Sequence, residues 1–103
     1  MLEIKIVCGC ESPAMREDQA HLAVLRLAAQ YFPNGHTVTV GHGRWMSPER
    51  GLVSEKTVIV SVLAGDRKDP IFSTAYEFAG AYKAEAQQDA VIVQLQEIEY
   101  DFV

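Results

Sequence analysis

The densest run of chemically versatile side chains is His42-Gly43-Arg44-Trp45, which comes to face Glu55-Lys56 if the valine-rich stretches around it form a hairpin. Arg44 offers a planar fork that grips a carboxylate or phosphate, Trp45 a flat ring for stacking, and Glu55 an acceptor for hydrogen bonds or a proton. Gly41 and Gly43 let a ligand or another backbone come close. Counting inward from the loop pairs residue 43 with 55 and 44 with 54, and a slip of one residue exchanges the faces. His42, Arg44, Trp45 and Glu55 are the candidate ligand-binding residues. The structural alternative is a twisted hairpin in which Arg44 and Glu55 form a cross-strand ion pair and Trp45 packs on a neighbouring subunit.

Cys8-Gly9-Cys10 at the end of a strand can offer two thiolates to a metal, with His21, His36 or His42 completing the set. The spacing is tighter than in structural zinc sites, and Cys8 alternates with Ile4 and Ile6 on an apolar face, where a small thiol fills space. A disulfide between the two would close too short a loop to staple a fold. Reduced thiols and no metal are expected. The loop Asp66-Arg67-Lys68-Asp69 mixes charges that can hold an anion, but it reads better as a solvated loop and helix cap. Tyr76 and Tyr82 fall at helical spacings that suit packing. No nucleophile with its base, phosphate-binding glycine loop or paired-carboxylate motif is recognisable, so no catalytic residue and no cofactor are expected.

The elements that must position these residues follow from periodicity. Residues 2 to 8 alternate as a half-buried strand. Ser12-Pro13 has the composition of an N-cap and first helical residue, and a helix to about Phe32 carries Met15, Leu22, Leu25, Ala29 and Phe32 as its expected buried stripe. Pro33-Asn34-Gly35 then turns the chain. Residues 36 to 46 and 52 to 63 read as a long hairpin around Ser47-Pro48-Glu49-Arg50-Gly51. Asp69 and Pro70 open a second helix with Ile71, Ala75, Phe78, Tyr82 and Ala86 inward. The last segment alternates Val91, Val93 and Leu95, then changes phase to Ile98, Tyr100 and Phe102, which implies a bulge or a new partner near Gln96.

The order β-α-β-β-α-β with right-handed crossovers predicts a single α+β domain: a ferredoxin-like sandwich whose four-stranded antiparallel sheet carries both helices on one face. Strands one and three are then central and strand two an edge. The other face meets water unless something covers it. Ile59 and Leu63, joined by Val7 and Ile92, belong to that face, and Ile98, Tyr100 and Phe102 add an apolar row. These are the expected interface residues of a homo-oligomer, a dimer or higher.

With a net charge of −5 and its basic residues scattered, the chain is not expected to bind nucleic acid or an anionic membrane. No apolar run has the length of a membrane span, and the first residues lack a secretion signal, so a cytoplasmic location is expected. A length of 103 residues and 49% hydrophobic content suit one globular core.

At Phe32-Pro33-Asn34-Gly35-His36-Thr37, Gly43-Arg44-Trp45, Gly51, Glu55, Tyr82-Lys83, Gln88 and Ala90-Val91, the chain resembles a family of small bacterial domains of unknown function. The resemblance covers roughly residues 31 to 95. It implies a shared compact α+β fold and brings no reaction, substrate or catalytic residue; the first residues here do not read as the leader segment that the resemblance implies, so an envelope role is not expected.

The function expected is a homo-oligomeric binding module for a small ligand or a protein partner. One alternative is an enzyme with a pocket between ferredoxin-like subunits, using His42, Arg44 and Glu55 for proton transfer and anion binding. Another is an acidic inhibitor of phage or mobile-element origin that blocks a basic protein or sequesters a signalling nucleotide.

Overall fold

A computed structural model describes residues 1–103. The elements are β1 (Leu2–Gly9), α1 (Glu17–Tyr31), β2 (Thr37–Ser47), β3 (Gly51–Ala64), α2 (Pro70–Glu85) and β4 (Ile92–Glu97). The strands form one antiparallel sheet in the order β2-β3-β1-β4, the ferredoxin-like arrangement, with β2 and β4 at the edges. Alternation fixes the faces. Leu2, Ile4, Ile6 and Cys8 of β1, and Val58, Val60, Val62 and Ala64 of β3, are buried under the helices. The core is closed by Phe32 and Phe78, whose ring centroids are 5.4 Å apart, and by Tyr82.

Helix α2 begins as its sequence dictates. Asp69 accepts from the Ile71 N–H at 3.0 Å, Pro70 supplies the first helical residue, and Ala75, Phe78, Tyr82 and Ala86 face inward.

Helix α1 departs from expectation in two ways. Ser12-Pro13 does not open it, because the Ser12 hydroxyl donates to the Ala86 carbonyl at 2.6 Å and so ties the loop to the end of α2. The helix starts at Glu17 instead, where the Gln19 side chain accepts from the Arg16 N–H at 3.0 Å. Its buried stripe is Ala20, Ala23, Val24, Leu27 and Ala28, while Leu22 is 64% exposed and Leu25 is also outward. The inward face of α1 is thus built mainly from alanines, and the larger Leu22 and Leu25 point to solvent.

Strand β4 also ends earlier than expected. Its register with β1 runs unbroken from Val7↔Ile92 to Leu2↔Glu97, without a bulge. Pairing stops there because β1 begins at Leu2, and the Ile98 N–H makes the last sheet-like bond, to the Met1 carbonyl at 3.1 Å. Residues 98–103 have no regular structure.

The β2–β3 hairpin is longer than the rest of the sheet. Its register runs from Thr37↔Ser61 to Ser47↔Gly51, whereas β1 pairs only with Thr57 to Ala64 of β3. Residues 42–47 and 51–56 therefore project past the end of β1 as an arm. At its tip Gly51 takes φ 72°, which suits a residue without a side chain.

Candidate functional site

The hairpin has the expected register, with Gly43 opposite Glu55 and Arg44 opposite Ser54. Directly paired residues share a face, so Trp45, Val53, Gly43 and Glu55 lie on one side of the arm, and His42, Arg44, Ser54 and Lys56 on the other. The structure thus brings Trp45 and Glu55 together and separates both from His42 and Arg44. An Arg44–Glu55 ion pair does not form.

The guanidinium beside Trp45 belongs to Arg50, in the hairpin loop. It sits 6.0 Å from the indole centroid, and its Nη1 is 2.7 Å from Glu11 Oε1. That hydrogen bond and the carboxylate charge hold the Arg50 pKa above its ordinary value.

Glu11 lies just after β1, where the Cys10 N–H donates to the Lys56 carbonyl at 2.9 Å and carries the chain across the base of the arm. The Glu11 N–H donates to Glu55 Oε2 at 3.2 Å, and the Glu11 carbonyl accepts from Gln88 Nε2 at 2.6 Å.

Gly9 makes this junction fit. A Cβ there would stand 2.8 Å from Glu55 Oε1 and 2.9 Å from Oε2, so the carboxylate lies against bare backbone. The Gly9 carbonyl accepts from the Tyr82 hydroxyl, which joins the end of β1 to α2. Burial is the main cause that raises the Tyr82 pKa, so the phenol stays protonated as a donor. Just beyond α2, Gln87 adopts φ 50°, a left-handed conformation rare for a residue with a side chain, next to Gln88.

These groups surround a cleft of about 470 Å³ between the arm, the loop after β1 and the loop after α2. Glu11, Trp45, Arg50, Glu55, Gln88 and Asp89 all line it. Trp45 keeps 43% of its surface open, leaving ring area for a ligand to stack on. Three carboxylates face one guanidinium, and Arg50 is already engaged by Glu11, so the lining is acidic. Sequence reasoning missed Glu11 and Arg50, because one follows a cysteine pair and the other sits in a loop of ordinary turn composition. Gln88 appears among the residues of the family resemblance, but no spacing links it to the hairpin.

The other candidates lie away from this cleft, in the core and in the loops. Cys8 and Cys10 are wholly buried in the core, and burial pushes the Cys8 thiol up to about 12 and raises Cys10 as well. No group of three or more His, Cys, Asp or Glu side chains is placed to hold a metal ion. His36 lies with Nδ1 3.0 Å from the Phe32 carbonyl, at the end of α1. In the charged loop, Asp69 accepts from Gly65 N–H at 2.9 Å and Asp66 from Lys68 N–H at 2.8 Å.

A family model described as "Protein of unknown function (DUF3574)" matches residues 12–102. The chain belongs to the DUF3574 family. The match takes in the arm and the loop after α2, and thus most of the cleft of this DUF3574 domain. A comparison with curated proteins finds no match to it.

Among solved structures the DUF3574 domain is similar to a phage SAM lyase in its apo state, with TM-score 0.66 and 17% identity, over 92% of this chain and 78% of the other. It is also similar to a phage SAM lyase in complex with S-methyl-5'-thioadenosine, with TM-score 0.65 and 19% identity, over 93% and 80%. At these identities the likeness is one of fold. No helix of the domain is long and apolar enough to cross a membrane.

Proposed function

We propose that the domain binds a small molecule in the cleft at the base of the arm, and that the ligand carries a flat ring and a cationic or hydroxyl-rich portion. The observation that carries this is the convergence of the Trp45 ring, the Glu55 and Asp89 carboxylates and the Gln88 amide on one cavity of about 470 Å³. The indole stacks on a ring, and the carboxylates accept from hydroxyls or face a positive charge. An adenosyl compound has both parts. The fold likeness to a phage SAM lyase bound to S-methyl-5'-thioadenosine makes that class the first to test.

Calorimetric titration with S-adenosylmethionine and S-methyl-5'-thioadenosine tests the proposal. Saturable binding is expected, weakened roughly tenfold or more by Trp45→Ala, since base stacking on an aromatic ring contributes about 1–3 kcal/mol. Arg44→Ala, on the far face, leaves affinity unchanged. Absence of binding by both compounds, or full affinity in Trp45→Ala, overturns the assignment. A catalytic version of the same reading, favoured by the lyase fold, predicts consumption of S-adenosylmethionine in that mixture, with loss on Glu55→Gln.

Self-association belongs to the same proposal. Val7, Ile59, Leu63 and Ile92 lie on the sheet face away from the helices, Val7 paired with both Ile59 and Ile92, with Leu63 and Ile92 exposed. A second copy would remove this surface from water.

A further inference from the structure

Two parts of the molecule have the character of a sheet and lack a partner strand. Residues 98–103 alternate Ile98, Tyr100 and Phe102 with Glu99 and Asp101, the period of a strand, yet they form no strand; Phe102 is 87% exposed. Strand β2 is an edge of eleven residues that pairs only with β3, in unbroken register and without proline or bulge. An uncovered edge of that length is an invitation to another strand.

The two faces of β2 differ in a way the tail matches. His42 and Arg44 follow one another on the helix side of the arm, and Gly41 and Gly43 on the opposite side, followed by Trp45. At Gly41 and Gly43 a Cβ would lie 3.2 Å from Thr57 Oγ1 and 3.1 Å from Thr57 Cγ2, so the Thr57 side chain of β3 lies along this strip and β2 itself adds no side chain there. A strand laid beside β2 with Glu99 and Asp101 toward His42 and Arg44 necessarily turns Tyr100 and Phe102 to the side of Gly41 and Gly43. The opposite phase would put both acids on the face that carries Glu55. Charge therefore selects one phase.

We infer that residues 98–103 of a second copy pair with the outer edge of β2 as a fifth strand, reciprocally in a two-fold dimer. The copy must be a second one because of reach. The tail leaves the sheet beyond β4, and four strand spacings of about 4.8 Å separate it from the outer side of its own β2, roughly 19 Å in all. Six extended residues span about 20 Å, so residues 98–103 are used up in crossing their own sheet and cannot also pair along its far edge. In the structure Phe102 lines the same crevice as Leu63 and Thr37, at the near end of β2.

The inference deepens the self-association reading by naming its contacts, and the following measurements separate the two. Sedimentation of the full chain is expected to show a dimer whose dissociation constant rises roughly tenfold or more in Arg44→Glu, and likewise in the double variant Glu99→Lys with Asp101→Lys. Combining the three changes in one chain is expected to recover most of the affinity. Amide exchange along β2 should slow as concentration rises. If Ile59→Glu breaks the dimer while the charge reversals leave it intact, the tail pairing is wrong and self-association stands. If the unaltered chain stays monomeric at every concentration, both fail.

Discussion

At Gly9 the side chain is a hydrogen atom, and the space beside it is filled by the Glu55 carboxylate. Gly9→Ala would push a methyl to within 2.8 Å of Glu55 Oε1. The obstacle is the far end of a flexible side chain, so the fold should lose less than about 1 kcal/mol. The carboxylate would swing away from the Glu11 N–H, however, and the cleft would lose an ordered wall. Melting close to that of the unaltered chain, with ligand affinity clearly reduced in calorimetry, is the expected outcome. The neighbouring Cys8 gives a pH prediction. Its thiol titrates near 9.0 when unfolded and is pushed to about 12 by burial in the fold. Above the lower value the unfolded chain releases a proton that the folded chain retains, so this contribution to stability is complete below about 9 and is lost as pH rises toward about 12. Denaturant titrations across that range check the slope, and Cys8→Ala should flatten it.

Between elements, the instructive contrast is α1 against α2. Leu27→Ala is expected to destabilise the domain by about 2–5 kcal/mol, because Leu27 is buried in the core, whereas Leu22→Ala should stay within about 0.5 kcal/mol. Equal costs in urea unfolding would show that the stripe is misassigned. The sequence of α2 predicts its own start and inner face, because Asp69-Pro70 and the spacing of Phe78 and Tyr82 admit few alternatives. In α1 the phase follows small residues, Ala20, Ala23 and Ala28, whose burial depends on how closely a partner approaches, and no local pattern carries that information. The strand order and the hairpin register are legible from turn chemistry and alternation. The same register separates Arg44 from Glu55 by parity alone. What alternation cannot supply is the meeting of Glu11, Arg50 and Gln88, since it depends on three loops converging where β1 ends short of the arm.

For the molecule as a whole, the sheet has one face sealed by helices and one that carries Val7, Ile59, Leu63 and Ile92 toward solvent. Ile59 lies at the centre, paired with Val7 on one side and Thr39 on the other. Ile59→Glu should give a monomer of 11.4 kDa in light scattering while the unaltered chain gives a larger particle. An unaltered chain already at 11.4 kDa would remove self-association from the account. The acidic balance of the chain acts against bringing two copies together, so apolar burial and the few well-placed cations have to outweigh it.

The arm carries the sole tryptophan of the chain, beside the Arg50 guanidinium and at the rim of the cleft. Indole emission responds to polarity and to nearby charge, and the tyrosines of the domain lie elsewhere, on α1, on α2 and in the tail. The protein therefore carries its own optical label at the place where a ligand would sit. Excitation at the red edge of the absorption band addresses Trp45 alone, and a change in its intensity or colour on titration reports occupancy of the cleft without any dye or tag.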